Sequence, residues 1–355
     1  MCGIVGYTGR NQASGYLLQG LQTLEYRGYD SAGIEVLSSD GALHGVKCAG
    51  RVASLVERCE TANLVGTTGI AHTRWATHGA PTDRNAHPHR DCTGRIAITH
   101  NGIIENFREL KGYLTRNGHT FESDTDSEVI AHLIEEAWAG PCKGDLLAAV
   151  CNACGRLKGS WALAVICADA PGELVVARNG SPLVVASTPD GAYAASDVTP
   201  LASITSHVMP LENGQFARLQ ESGAVTVYDS DGALVECPST IDVDWDASAA
   251  TLGGYADFMA AKAAARAGAG YVTLAVPETI VSTVQAHLLE IPVIGLPADA
   301  DGVISSEARA EVVRLAGENS ATLVGPGMEG RGARTSRGGG RRHARRGLSW
   351  HLPGE

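Results

Sequence analysis

The chain has few aromatic residues, a deficit of positive charge and no long apolar run. Aromatics make up 5% of the 355 residues whereas Gly occurs 43 times, which favours tight packing of helices on sheets over a large aromatic core. Lys and Arg total 28 against 39 Asp and Glu, a net charge of −11. So acidic a chain is not expected to bind nucleic acid or an anionic membrane surface. No stretch of eighteen apolar residues is present, so no membrane helix is expected either.

The cysteines do not form a disulfide framework. There are nine of them, an odd number without a repeated spacing, which fits a reducing compartment better than a secreted scaffold. The first ten residues lack a positive segment followed by an apolar run, so no secretory signal is expected. We therefore expect a cytoplasmic protein. Its apolar fraction of 44% is sufficient for a buried core, and its length predicts about two domains.

The first 240 residues predict a layered α/β domain with largely antiparallel sheets. Short β-branched runs bounded by Gly, Asp and Asn are typical of strands, and helical spacing of apolar residues occurs in between. The predicted strands are 3–7, 33–37, 96–100, 163–167, 174–177 and 225–228. The predicted helices cover 17–24, 129–134 and 146–150, and the second of these follows an acidic segment with N-cap chemistry.

Three further zones follow. Residues 241–259 are acidic and contain Gly, which predicts a connector. Residues 260–327 alternate helix and strand patterns, a second but short α/β stretch. Residues 328–355 are rich in Arg and Gly with almost no apolar side chain, which favours disorder. Such a tail could alternatively bind RNA.

Cys2 is the first candidate catalytic residue. Initiator methionine is normally removed before a small residue, which would leave a cysteine with both a thiol and a free α-amine. That amine has a pKa of about 7.7–8.0, so one residue can supply nucleophile and general base together. Gly3 would let the backbone pass close to a substrate. Taken alone, a cysteine in second position is more often chemically idle.

A series of motifs makes a catalytic Cys2 the better interpretation. In chain order the motifs are MCGIVG at 1–6, LEYRGYDSAG at 24–33, HTRWATHG at 72–79, NAHPH at 85–89, HNGIIEN at 100–106 and TDSEVI at 125–130. This series resembles the class II glutamine amidotransferases, which carry an N-terminal cysteine. Within that family it is most similar to the glutamine–fructose-6-phosphate aminotransferases, because of residues 26–31 and the connector from Asp244 to Tyr255. The resemblance covers about residues 1–259 and implies a four-layer αββα N-terminal nucleophile hydrolase sandwich.

The chemistry of glutamine assigns roles to four further residues. Arg74 has the fork geometry for the α-carboxylate, although an ordinary surface ion pair is the alternative. Asp126 could hold the α-ammonium or could simply be an acid at a helix start. The side-chain NH₂ of Asn101 and the backbone N–H of Gly102 could stabilise the oxyanion, although an Asn-Gly pair is also a common turn.

Three more residues gain roles from the resemblance alone. It implies that Thr77 and His78 line the glutamine pocket and that Trp75 gates the passage of ammonia. It implies L-glutamine as the substrate, no cofactor, and a homodimer for the intact enzyme.

Other candidate sites were weighed and set aside. Cys151 and Cys154 form a single CxxC in a predicted helix, for which buried small side chains are the better interpretation than a redox or zinc site. His87, His89, Cys92 and His100 have no ligand pair at a recognised helical spacing, and the family motif already explains His87 and His89. No metal is therefore expected.

The remainder of the chain limits the expected activity. Intact enzymes of the resembled kind continue into sugar-isomerase domains that bind fructose 6-phosphate, and this chain is too short for them. Residues 260–327 instead resemble part of the ADP/ATP-dependent NAD(P)H-hydrate dehydratases, a ribokinase-like fold incomplete at both ends. We therefore expect a fused or truncated chain that retains glutaminase activity. A non-catalytic remnant and a nucleotide-binding dehydratase module are the alternatives.

Overall fold

The structure is a computed structural model that describes residues 2–62, 64–75, 79–242, 273–278, 281, 293–298 and 305–318. The chain separates into two compact units, Met1–Ala250 and Thr251–Glu355. The first unit contains two large antiparallel sheets, and every candidate site residue falls within it.

The first sheet has eight strands in the order β14-β11-β9-β10-β1-β4-β2-β3. Its strands are β1 (Gly3–Gly9), β2 (Ser31–Leu37), β3 (Leu43–Ala49), β4 (Thr68–Arg74), β9 (Val184–Thr188), β10 (Gly191–Ala195), β11 (His207–Pro210) and β14 (Ile241–Asp242). Strand β1 is central and pairs with both β4 and β10. Strand β14 lies where the sequence predicts the start of the connector; it pairs with β11 and extends the sheet instead.

The second sheet has six strands in the order β13-β12-β8-β7-β6-β5. Its strands are β5 (His89–Arg90), β6 (Ile96–Ile104), β7 (Gly159–Cys167), β8 (Glu173–Asn179), β12 (Phe216–Gln220) and β13 (Val225–Tyr228). The longest ladder joins β6 to β7 and pairs Asn101 with Ala162.

Helices cover the outer face of each sheet, which gives four layers. The helices are α1 (Ala13–Leu24), α2 (Val52–Ala62), α3 (Phe107–Arg116), α4 (Glu128–Ala139) and α5 (Leu146–Cys154). One core lies between α1, α2 and the first sheet, and another between α3, α4, α5 and the second sheet. A third core, built largely of small and β-branched side chains such as Ala164, Val176 and Ala194, fills the space between the two sheets. The αββα sandwich expected from the sequence is therefore confirmed.

Only parts of the second unit are described. Strands β15 (Leu274–Pro277) and β16 (Val293–Leu296) pair in parallel, and a 3₁₀ turn leads into helix α6 (Arg309–Glu318). These elements agree with the alternation of helix and strand patterns in residues 260–327. The other predicted elements of 260–327, and the tail 328–355, lie outside the described residues. In the part of the chain that is described, no helix is long and apolar enough to cross a membrane.

Candidate active site

Strand pairing brings Cys2 to the end of β4. Gly3 is paired with Thr73 across the β1–β4 ladder, so the residues that follow Thr73 lie beside Cys2. The backbone N–H of Trp75 donates to the Cys2 Sγ over 3.2 Å. The residue directly after β4 thus holds the sulfur at the start of β1.

The carbonyl oxygen of Cys2 is fixed by two donors from distant parts of the chain. The Asn101 Nδ2 and the Arg27 Nε each donate to it over 3.1 Å. Arg27 in turn forms a 2.9 Å ion pair with Asp197, and both side chains are largely buried. Two independent hydrogen bonds on one carbonyl restrict the orientation of the whole Cys2 residue.

Asn101 is itself oriented from behind by His72. The His72 Nε2 lies 3.0 Å from the Asn101 Oδ1 and 3.1 Å from the backbone oxygen of His100. Both partners are acceptors, so His72 carries its proton on Nε2. That proton fixes which end of the Asn101 amide faces Cys2.

Five of the eight predicted site residues line one pocket. Cys2, Arg74, Trp75, Gly102 and Asp126 all line it. Residues that carry a thiol, a guanidinium and a carboxylate therefore line one pocket, and an amino acid with a reactive side-chain amide requires these three groups.

Arg74 and Asp126 are held by backbone contacts. The Arg74 guanidinium donates to the backbone oxygens of Gly79 and Ala80 over 3.2 and 3.3 Å, and burial lowers the pKa of Arg74. The Asp126 Oδ2 accepts from the backbone N–H of Ile104 over 2.8 Å. Asp126 lies two residues before α4 begins, in the place that the sequence predicts.

Gly102 cannot be replaced without disturbing the sheet. Its φ is +135°, a region that favours glycine. A Cβ at this position would lie 2.0 Å from the backbone oxygen of Ser160 on β7. The close β6–β7 pairing at the pocket therefore depends on a residue without a side chain.

Burial raises the pKa of the Cys2 thiol. The N–H of Trp75 and the positive charges of the amino terminus, Arg74 and Arg27 act in the opposite direction, but burial is the larger effect. The thiol is therefore protonated at neutral pH, and a reaction that uses the thiolate needs a base beside it.

Four buried histidines lie at the pocket or next to it, and two of them, His87 and His100, line it. The rings of His72 and His87 are 4.2 Å apart and those of His87 and His89 are 4.4 Å apart. Burial lowers the pKa of His72 to about 3 and the pKa values of His87, His89 and His100 below their ordinary range. Four neutral rings can share this space, whereas charged ones would repel.

Two predicted site residues, Thr77 and His78, lie outside the described residues. A Cβ at Gly3 would lie 2.9 Å from the side chains of both Leu24 and Thr73. Gly3 is thus required by packing between β1, α1 and β4. Sequence reasoning missed the roles of Arg27 and His72, although both lie within the recognised motifs.

The CxxC pair lies on α5, as predicted. Cys154 is buried and Cys151 is partly buried, and both are free thiols. Burial raises the pKa of Cys151 to about 11 and that of Cys154 further. The structure therefore agrees with small buried side chains.

Comparison of the sequence with known proteins gives one family match and several similar relatives. Residues 72–203 match the family described as "Glutamine amidotransferase domain". The glutamine–fructose-6-phosphate aminotransferase (isomerizing) of Thermosynechococcus vestitus is 51% identical over 244 residues, 68% of this chain and 39% of that protein. The enzymes of the same name from Thermococcus kodakarensis and Streptomyces coelicolor are 46% and 48% identical, over 73% of this chain and 42% of each protein. The chain thus spans about two fifths of the length of these curated relatives.

Two solved structures share the fold. The glutamine phosphoribosylpyrophosphate amidotransferase of B. subtilis superposes with a TM-score of 0.58 at 23% identity, over 88% of this chain and 70% of that one. A structure described as the allosteric regulatory enzyme of purine biosynthesis gives a TM-score of 0.57 at 24% identity, over 84% and 66%.

Proposed function

We propose that this chain, whose N-terminal unit is a class II glutamine amidotransferase domain, hydrolyses glutamine to glutamate and ammonia with the Cys2 thiol as nucleophile. The observation that carries the proposal is the single pocket that Cys2, Arg74 and Asp126 all line. Each group matches one part of glutamine: the side-chain amide, the α-carboxylate and the α-ammonium.

Binding precedes the chemistry. Arg74 pairs with the α-carboxylate and Asp126 with the α-ammonium, which directs the side-chain amide toward Cys2. Arg74 and Asp126 are already held by backbone contacts, so little reorganisation is needed when the substrate enters. Further contacts from Thr77 and His78, and a gating role for Trp75, rest on the family resemblance alone.

The first half-reaction forms a thioester. Once Met1 is removed, the α-amine of Cys2 accepts the thiol proton, and the thiolate forms a bond to the amide carbon. The raised pKa of the Cys2 thiol makes this base necessary. Asn101 and Gly102 donate to the oxygen that becomes negative. The C–N bond then breaks, and the departing nitrogen takes the proton from the amine and leaves as ammonia.

The second half-reaction regenerates the enzyme. The α-amine of Cys2 takes a proton from water while the oxygen forms a bond to the thioester carbon. The C–S bond breaks, glutamate departs, and the sulfur recovers its proton. The sum is glutamine plus water giving glutamate plus ammonia, without any electron transfer.

The use of the ammonia is the second part of the proposal. The names of the relatives support fructose 6-phosphate as the acceptor of the ammonia. The family resemblance implies glucosamine 6-phosphate as the product, with the sugar bound by domains outside this chain. We infer that the 355-residue chain releases ammonia and makes no amino sugar by itself. All nine cysteines are free thiols in the structure, which supports action in the cytoplasm.

The test is glutamine-dependent ammonia release by the full chain. We expect turnover in the parent, loss of it in Cys2→Ala, and parental turnover in Cys237→Ala, which changes an exposed cysteine. Addition of fructose 6-phosphate should yield no glucosamine 6-phosphate. Equal turnover in the parent and in Cys2→Ala would contradict the proposal.

A further inference from the structure

Four side chains with metal-ligating atoms meet at a second place in the N-terminal unit. They are Cys92 in the turn after β5, His119 in the segment after α3, and His132 and Glu135 on α4. One ligand atom from each lies within 4.8 Å of all the others. None of these residues lines the glutamine pocket.

Four of the six separations between the ligand atoms are close to the edges of a tetrahedral metal site. The Cys92 Sγ lies 3.5 Å from the Nδ1 of both His119 and His132. The Glu135 Oε2 lies 3.0 Å from His119 Nδ1 and 3.3 Å from His132 Nδ1. Zinc–ligand bonds of roughly 2.0–2.3 Å at tetrahedral angles give edges of about 3.6 Å between sulfur and nitrogen and about 3.3 Å between nitrogen and oxygen. These four of the six separations fit a zinc site, and the other two are within 4.8 Å.

A carboxylate lies beside the Nε2 of each histidine, which directs Nδ1 toward the proposed metal. The His132 Nε2 lies 3.6 Å from Glu128 Oε1, and the His119 Nε2 lies 3.6 Å from Glu136 Oε1. Histidine ligands commonly direct their other ring nitrogen to a carboxylate, which fixes the tautomer. Here both rings have such a carboxylate.

The sulfur also has the surroundings of a thiolate ligand. The backbone N–H of Thr120 donates to the Cys92 Sγ over 3.4 Å. A backbone donor on the sulfur stabilises negative charge there, which a bound cation would require.

We propose that Cys92, His119, His132 and Glu135 bind a zinc ion. One thiolate, two imidazoles and one carboxylate suit zinc better than magnesium or calcium, which prefer oxygen ligands alone. Four protein ligands close the coordination sphere, so the site is structural and leaves no position for a substrate. On binding, Cys92 loses its thiol proton to solvent and each histidine keeps one proton, on Nε2, facing its carboxylate.

The ion would join three separate segments of the N-terminal unit. It would tie the turn after β5 and the segment after α3 to α4. Glu128 also accepts from the backbone N–H groups of Glu122 and Ser123, over 2.7 Å each. The metal would therefore reinforce the start of α4, two residues after Asp126.

The experiment measures zinc in the full chain, purified under reducing conditions without chelator. We expect one zinc per chain in the parent and in Cys237→Ser, and almost none in Cys92→Ser or His119→Gln after equal exposure to zinc. Removal of zinc by a chelator should lower the melting temperature of the parent, and restored zinc should recover it. Substoichiometric zinc in the parent, or parental content in both ligand variants, would overturn the proposal.

Cobalt provides a readout that does not depend on the variants folding. Cobalt added to the zinc-free parent should produce a sulfur-to-metal charge-transfer band and the visible bands of a tetrahedral ion. A spectrum without the sulfur band would show that Cys92 is not a ligand and would contradict the site. Neither measurement depends on glutaminase activity, so failure here leaves the proposed function standing.

Discussion

The Asn101 side chain donates a hydrogen bond to the carbonyl oxygen of Cys2 over 3.1 Å, although 99 positions separate the two residues. This contact joins the second sheet to the first strand of the first sheet. Since His72 determines which end of the amide faces Cys2, an N–H group is presented beside the proposed nucleophile. An amide nitrogen carries two hydrogens, so Asn101 can hold Cys2 and also donate to the oxyanion.

Replacing Asn101 with Ala should therefore impair turnover more than binding. Loss of one oxyanion donor typically lowers kcat by about 10²–10³, whereas KM for glutamine should change little because Arg74 and Asp126 remain. Steady-state ammonia release checks both constants. Asn152→Ala, a substitution of the same type on α5, is the control and should retain parental kcat. A kcat near parental in Asn101→Ala would remove Asn101 from the mechanism.

Gly102→Ala should destabilise the domain and reduce activity together. The added Cβ would lie 2.0 Å from the Ser160 oxygen, and the φ of +135° is already unfavourable for alanine, a strain of about 1–3 kcal/mol before the clash is counted. Gly94→Ala is a matched control, because its φ is +68° and no atom lies within 4 Å of the added Cβ. Urea unfolding should show a larger decrease in the free energy of unfolding for Gly102→Ala than for Gly94→Ala. Equal losses would show that the close β6–β7 contact is unimportant.

The buried Arg27–Asp197 pair should contribute far more to stability than an exposed pair. Its side chains are 6% and 12% exposed, against 50% and 51% for Arg58 and Asp83. Arg27→Met removes the positive charge beside a largely buried carboxylate, and breaking such a buried pair typically costs about 3–5 kcal/mol. Arg58→Met should cost less than about 1 kcal/mol. Chemical unfolding of both variants checks the difference, and similar losses would contradict a buried structural pair.

The buried histidines at the pocket should make the free energy of unfolding decrease in acid. A buried histidine whose folded pKa is depressed stays neutral, whereas the unfolded chain takes up a proton near pH 6.5. Its contribution to stability is present above pH 6.5 and is lost as the pH falls toward the folded pKa. One such histidine accounts for about 1.4 kcal/mol of loss per pH unit below that point.

A substitution at His87 isolates this effect. Among the residues that the structure describes, neither ring nitrogen of His87 has a hydrogen-bond partner, so His87→Leu removes a titrating group without leaving one of those residues without its polar partner. The free energy of unfolding of His87→Leu should fall less between about pH 7 and pH 5.5 than that of the parent. His44→Leu, which changes a half-exposed ring, should follow the parental pH dependence. If all three proteins show the same slope, His87 does not stay neutral in the fold.

Local patterns predicted the framework of the site. Cys2, Arg74, Gly102 and Asp126 were identified from motif chemistry, and the structure brings them into one pocket. The helix that follows Asp126 was visible from its apolar spacing and acidic entry, because α4 is buried along most of its length.

Long-range pairing accounts for what the sequence did not reveal. The contacts of Arg27 with Cys2 and Asp197 join residues 25 and 170 positions apart, and no local periodicity encodes such distances. The four proposed zinc ligands also come from distant parts of the sequence, because only His132 and Glu135 lie on one helix. Cys92 was noticed beside His87, His89 and His100, yet its partners in the fold lie further along the chain.

The most direct test of the account is mass spectrometry of the amino-terminal peptide after exposure to an electrophilic glutamine analogue. We expect a peptide that begins at Cys2 and carries one covalent adduct on its sulfur, with labelling suppressed by excess glutamine. A peptide that retains Met1 in active protein, or an adduct on any other residue, would contradict a catalytic amino-terminal cysteine.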